Sequence, residues 1–308
     1  MRDTHLAERG DHMGLRANPT YRQRRFGAEV RRLRERAGLT VGEAARLMGM
    51  HSPHLSNVEA GRTSLAAERL GVLTQALEAT STTYVDALRA MGQESGRGWW
   101  SDYRKVLGAS HVDLAELEAG ARILRNYELL FIPGLLQTRE YATAVHGSGF
   151  SEAVREVQGE AIEFRLRRQL VLSGRRPPHL HAIIHEAALR VLYGGRAVMR
   201  DQLLRLIQAS RLPNVTIQIV PIDNEGSAAF SHPFMLIEPE VAELGTVLVD
   251  QLSKGQYLDD PQALIEYGQS FARLSELALP PIDAEVAPEA RTAKDSLGLI
   301  QHILYPLL

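Results

Sequence analysis

Residues 26–63 read FGAEVRRLRERAGLTVGEAARLMGMHSPHLSNVEAGRT, and this stretch decides the architecture of the N-terminal part of the chain. It divides into three short helices. The first, over 26–37, places Phe26, Val30 and Leu33 on one stripe and leaves Arg31, Arg32 and Arg36 outside. Thr40 is a capping residue for the second helix, whose Ala44 and Ala45 are small enough for another helix to approach closely. Gly49 marks a sharp turn that favours a residue free to take positive φ. Ser52-Pro53 then predicts the start of a third helix, a capping hydroxyl followed by proline in the first helical position. Leu55 and Val58, three apart, give that helix one apolar face, which leaves Ser52, His54, Ser56 and Asn57 turned outward.

The spacing of the second and third helices is that of a helix-turn-helix. At these residues the chain resembles the Xre (Cro/CI-like) family of bacterial DNA-binding domains, over about one fifth of its length. Several independent features carry the resemblance: Arg34 followed by Gly38-Leu39-Thr40, the Ala45/Gly49 and Leu55/Val58 spacings, and Glu59-Ala60-Gly61-Arg62. It implies a five-helix domain, completed by helices at 66–77 and 83–91, and a buried pair between Arg34 and Glu59. It also implies that Ser52, Pro53 and Asn57 face base edges with His54 beside them. Asn57 can bond an adenine edge in a bidentate way, and Ser52 can donate or accept. Pro53 offers apolar contact only. Val41 stands where the family often has a phosphate-gripping glutamine, so Arg62 becomes the best phosphate ligand. Thr40 and Thr63 complete the expected contact set.

Working outward, residues 1–20 are polar, with disorder expected over 1–13. Arg16, Arg22, Arg24 and Arg25 precede the first predicted helix. Such an arm either follows the phosphates or enters the minor groove, or it is a solvated tail that touches nothing. Between residues 14 and 62 there are ten arginines and four glutamates, 10 − 4 = +6. The chain carries −2 overall, so the remainder carries −2 − 6 = −8. A basic module on an acidic body is expected of a protein whose DNA contact is confined to one end.

The chain of 308 residues has room for a small domain and a larger one. It contains no cysteine, so disulfides and thiolate metal sites are excluded. No apolar run approaches the length of a membrane span, and the N-terminus lacks the apolar core of a signal peptide, so a cytoplasmic location is expected.

The breaker-rich stretch 92–98 opens a linker over 93–110, and Trp99, Trp100 and Tyr103 are expected to anchor it to the domain that follows. From His111 the apolar spacing Leu114, Leu117, Ala121, Leu124 reads as helix, and a long charged helix is expected over 151–172. Strand signals begin at His179–His185 and recur at Val215–Val220, 234–237 and Thr246–Val249. Helices are expected at 198–210 and 261–278, with a helical tail inside 284–308. The domain at 111–283 is therefore α+β, a small, mainly antiparallel sheet flanked by helices.

This second region also resembles a known but uncharacterised domain. The motifs are Pro133-Gly-Leu-Leu-Gln137-Thr138 with Arg139-Glu-Tyr-Ala, Arg168-Gln169, His185-Glu186 through Arg190, Gln202-Leu203, and Asn214 through Pro221. That domain is attached to Xre-type regulators of actinobacteria, often described as antitoxin-like, whose genes often sit beside one for a small protein. The resemblance implies a homodimer on a palindromic double-stranded operator, with the C-terminal domain sensing a ligand or partner. The alternative is an antitoxin-like module that mainly sequesters a small partner protein and autoregulates.

Catalytic chemistry finds no support. His185-Glu186 begins like a zinc-protease motif, but Leu189 occupies the second histidine position. His179, His181 and His185 share a strand face, yet the outer two lie roughly 20 Å apart at about 3.3 Å per residue. No G-x-S-x-G elbow and no phosphate-binding glycine loop occurs. No enzyme activity, metal or cofactor is expected.

Overall fold

The computed structural model describes residues 15–76, 81–93, 96–147, 157–249, 255–286 and 294–308. Expectations for residues 1–13, 77 and the start of the long charged helix lie outside these residues. The chain divides into two compact units, with the boundary between Gly96 and Arg97.

The first unit is helical: α1 Tyr21–Arg36, α2 Val41–Leu47, α3 Ser52–Glu59, α4 Ala67–Gln75 and α5 Thr82–Gln93. Helix α1 starts five residues earlier than its apolar stripe suggested. Thr20 accepts from the Gln23 amide (3.3 Å) while Gln23 Oε1 accepts from the Thr20 amide (3.0 Å). This reciprocal cap satisfies two end groups and fixes the true start of the helix. Arg22, Arg24 and Arg25 are therefore helical residues and not an arm. Arg25 is only 2% exposed, paired with Glu29 one turn on. Glu29 also takes Arg32 and accepts from the Tyr84 hydroxyl (2.5 Å), which ties α1 to α5. Phe26, Val30, Leu33, Leu55, Val58, Leu70, Leu73 and Leu88 form the core.

The second unit begins inside the expected linker, with a 3-10 turn at Ser101–Tyr103 and α6 Arg104–Leu107. Trp99 and Tyr103 pack on Phe164, with ring centroids 5.1 and 5.0 Å away. The remaining elements, in order, are α7 Ala109–Ala119, β1 Ile123–Glu128, α8 Arg139–Val145, α9 Gln158–Gln169, β2 His179–His185, α10 Glu186–Arg190, α11 Arg196–Ala209, β3 Val215–Val220, β4 Phe234–Glu238, β5 Thr246–Val249, β6 Gln256–Leu258, α12 Pro261–Leu277 and α13 Ser296–Leu304.

Six strands form one mixed sheet in the order β3-β2-β1-β4-β5-β6. β1 is parallel to β2, and β2 to β3, whereas β4, β5 and β6 run antiparallel. The central strand, β1, lies where helical spacing had been read. Gly120 ends α7, and Leu124 belongs to the strand. Because β1 is covered on both faces, Leu124, Asn126 and Tyr127 are all buried and the strand shows no clean alternation.

One sheet face (Leu124, Leu180, Ile184, Ile217, Ile219, Ile237) meets α8, α11 and α13. The other (Tyr127, Ile183, Phe234, Leu236, Val247) meets Phe271 and Leu274 of α12. The outer edge of β3 is closed as well. Ile217 O and Ile219 O accept from Ile282 N and Leu279 N, and Ile219 N donates to Ser296 Oγ (2.9 Å).

The motifs that recur along the second region converge on one turn. Gln137 Nε2 donates to Ile132 O (2.7 Å), Gln202 Nε2 to Leu136 O (2.9 Å), and Gln169 Nε2 to Gly134 O and Gln137 O. Gln202 Oε1 accepts from Thr138 N, and Arg165 donates to Gln137 Oε1. Three glutamines thus satisfy the backbone of the Pro133–Gly134 break, which a buried turn cannot do by itself. Beside it, Arg168 and Glu118 form a buried bidentate pair.

The strand histidines serve the fold. His181 Nε2 donates to Gln218 Oε1 (2.7 Å) and meets the Phe271 ring edge-on. His185 Nδ1 accepts from Ala187 N, capping α10, and Glu186 Oε2 accepts from Ile222 N. Among the described residues no cluster of three or more His, Asp or Glu is placed to hold a metal ion.

His146 differs, because neither ring nitrogen has a hydrogen-bond partner among the described residues. Burial, with help from the nearby charge of Arg165, pushes its pKa down from 6.5 to about 4. As pH falls, the unfolded chain takes up this proton first, so stability present above pH 6.5 is lost between pH 6.5 and about 4. Burial lowers His181 and His185 in the same direction. The urea midpoint of the second unit should fall steeply over that window, and less so in His146→Phe. An identical pH profile for the variant would refute this source.

Candidate nucleic-acid interface

Helices α2 and α3 are built by their ends. Thr40 accepts from Glu43 N (3.3 Å) while Glu43 Oε2 accepts from Thr40 N (2.8 Å) and from the Thr40 hydroxyl (2.6 Å). These bonds hold the Glu43 carboxyl below its ordinary range. The Thr40 hydroxyl is consequently engaged in its own cap. Gly49 turns the chain at φ 61°. The residue flanking α3 on its N-terminal side is His51, one earlier than the expected Ser52, and it makes no side-chain cap. Ser52 and Pro53 are therefore both in the first turn, where proline costs no hydrogen bond.

Leu55 and Val58 are fully buried, and this fixes the rotation of α3. His51, Ser52, Pro53, His54 and Ser56 are exposed, and Asn57 is half-buried. The start of α2 lies against the start of α3, since a Cβ on Gly42 would sit 3.9 Å from Ser52 Oγ. At the other end, Arg62 N donates to Asn57 O (2.8 Å). Thr40, Ser52 and Arg62 are exposed, and Asn57 and Thr63 are half-buried.

Arg34 and Glu59 lie behind that surface. Arg34 Nε and Nη2 donate to the two Glu59 oxygens (2.6 and 3.2 Å), and Nη1 donates to Leu39 O (2.9 Å). The pair joins α1 to the end of α3, and the bond to Glu59 raises the Arg34 pKa still further. Gly27 completes the junction. A Cβ there would lie 2.5 Å from the carbonyl oxygens of Val58 and Glu59, so only glycine allows this approach of α1 to α3.

Of the four arginines expected on an arm, Arg24 is exposed, Arg16 and Arg22 are half-buried and Arg25 is buried. The residue missed by sequence reasoning is His51, which a one-residue error in the helix start concealed. The Arg16 amide donates to Arg62 O (2.8 Å), a contact without any local sequence signal.

No helix among the described residues is long and apolar enough to cross a membrane. No curated protein and no solved structure matches the chain. Two family models do. A helix-turn-helix domain matches residues 25–89, covering the five helices of the first unit almost completely, and points to a DNA-binding regulator. A domain of unknown function, DUF5753, matches residues 112–286, from α7 to just past α12. That second model covers more than half of the chain, which thus belongs to the DUF5753 family and carries a helix-turn-helix domain ahead of it.

Proposed function

We propose that the protein is a sequence-specific transcriptional regulator of Xre (Cro/CI-like) type that lays α3 in the major groove of duplex DNA. The observation that carries this reading is the rotation of α3: burial of Leu55 and Val58 leaves the short polar side chains of its first turn facing outward. In this reading Ser52, Pro53, His54 and Asn57 meet base edges, and Thr40, Arg62 and Thr63 flank the backbone. An eight-residue helix spans about 12 Å and covers few base pairs. Adequate affinity therefore calls for a homodimer on a two-fold operator. The second unit supplies dimerisation and the response to a ligand or small partner protein. Its supports are its separateness as a compact unit and its net negative charge, which keeps it off the phosphates.

Selection of bound duplexes from a random pool tests the proposal. Enrichment of two-fold symmetric sites, with half-sites about 10 base pairs or a multiple apart, is expected. No enrichment over unselected DNA would overturn it. On the selected site, Asn57→Ala should lose about 1–3 kcal/mol of discrimination at one base pair and leave the others unchanged. An equal loss on every sequence would remove Asn57 from its base-reading role.

A further inference from the structure

Within the second unit, α7, the end of α9 and the chain just ahead of α6 form a cavity of about 330 Å³. Ala115, Glu118 and Ala119 make its floor, because their spacing of three and four puts them on one face of α7. Two of the three are alanines, whose small side chains leave the space open. Leu170, in the 3-10 turn that follows α9, supplies apolar surface at the rim, where it is 64% exposed. Trp99 forms the facing wall.

The walls are held by contacts that need no ligand. Trp99 packs on Phe164 at 5.1 Å and meets Tyr103 edge-on at 6.1 Å. Arg168 and Glu118, which also line the cavity, hold each other through two hydrogen bonds while almost fully buried. The charged part of the lining is thereby fixed, and a pre-formed site avoids much of the ordering cost of binding.

Arg167 gives the cavity its polarity. Its guanidinium lies over the Trp99 ring, 4.9 Å from the centroid. Stacking engages the flat face of a guanidinium and leaves the in-plane N–H donors turned toward other partners. Arg167 is exposed, and the described carboxylates nearest to it on α9 and in the cavity, Glu163 and Glu118, are taken up by Arg139 and Arg168. Two arginines against one glutamate give the lining a charge of +1 (2 − 1).

We propose that this cavity binds a small aromatic carboxylate, its ring against Trp99, the two alanines and Leu170, and its acid group on the Arg167 guanidinium. A guanidinium fork matches a carboxylate in a bidentate way and repels an amine. Ligand sites run from about 300 to 1,000 Å³, so this one suits a single ring with a short acid side chain. The inference deepens the reading of the second unit as ligand-responsive, and rests on it for any effect on DNA.

The test titrates the full chain with phenylacetate, uncharged phenylacetamide and cationic phenethylamine, followed by tryptophan fluorescence. The chain has two tryptophans, and Trp100→Phe isolates the signal of Trp99. Phenylacetate should saturate that signal in the millimolar range or below, about tenfold tighter than phenylacetamide, with phenethylamine weakest. Arg167→Gln should erase the preference for the acid. Ala119→Phe, at an exposed position on the floor, should fill the space and abolish binding; R167Q alone decides the matter if A119F unfolds. Equal affinity for the three probes, an unchanged preference in R167Q, or no saturation by phenylacetate in the millimolar range would overturn the site. Anisotropy on a selected operator, with and without phenylacetate, separates the readings. Specific binding of phenylacetate with unchanged operator affinity supports the site and overturns the ligand-responsive reading. Phenylacetate binding by a chain that binds no duplex supports the site and overturns the DNA-binding reading.

Discussion

Deleting residues 294–308 should prevent the second unit from folding, although the removed piece is only a short helix and its flanks. Leu297, Ile300, Ile303 and Leu304 are all buried in the core on one face of the sheet. At about 1.5–3 kcal/mol per aliphatic side chain, their burial is worth about 6–12 kcal/mol. That rivals the whole stability of an ordinary domain, about 5–15 kcal/mol. The deletion also leaves Ile219 N, which donates to Ser296 Oγ, without its partner on the outer edge of β3. Amide exchange at Ile217 and Ile219 should lose its protection, while Val30 and Leu55 in the first unit keep theirs. A truncated chain whose β3 amides stay protected would show that α13 is dispensable.

Breaking the Arg34–Glu59 pair should be the most damaging single substitution in the first unit that removes no apolar group. Both side chains are about nine-tenths buried; losing Arg34 leaves Glu59 as an uncompensated charge, and losing Glu59 leaves Arg34 only the half-exposed Glu35, 3.5 Å away. R34A or E59A is expected to cost about 3–5 kcal/mol, measured by urea unfolding. The double variant should cost less than the sum of the two, because the second change removes the orphan left by the first. Simple additivity would mean that the two groups do not interact. Because Arg34 also holds Leu39 O just before the Thr40 cap, the same variants should weaken DNA binding without touching a base.

What was legible in the sequence follows from the range of the signals. The cap at Thr40, the turn at Gly49 and the Leu55/Val58 face are all decided within a few residues. So the helix-turn-helix could be read almost to the residue wherever the local pattern was apolar. It was misread before Phe26, because the stripe continues through Arg25, a charged residue that becomes a core residue only by pairing with Glu29. The sheet was legible at β2, β3, β4 and β5, whose apolar runs are bounded by breakers. β1 was hidden by its setting: it follows α7 directly, and its partners lie more than 50 residues ahead in sequence. The short β6 carries little apolar signal at all. The glutamines around the Pro133–Gly134 turn were quoted as motifs without a mechanism. Their role is defined by carbonyls brought to them from other parts of the chain, which no single-sequence pattern encodes.

The position of α13 has a further consequence, for the order of events during synthesis. The first unit is complete once α5 has left the ribosome, whereas the second cannot close β3 and its core until α13 has emerged. Leu304 comes 211 positions after Gln93 (304 − 93), and these take about 10–40 s to add at about 5–20 residues per second. For that interval each nascent chain displays a finished helix-turn-helix attached to an unfinished sheet. The helix-turn-helix unit is thus complete before the second unit can be, and the apolar sheet face awaiting α13 is the surface that chaperones would have to cover.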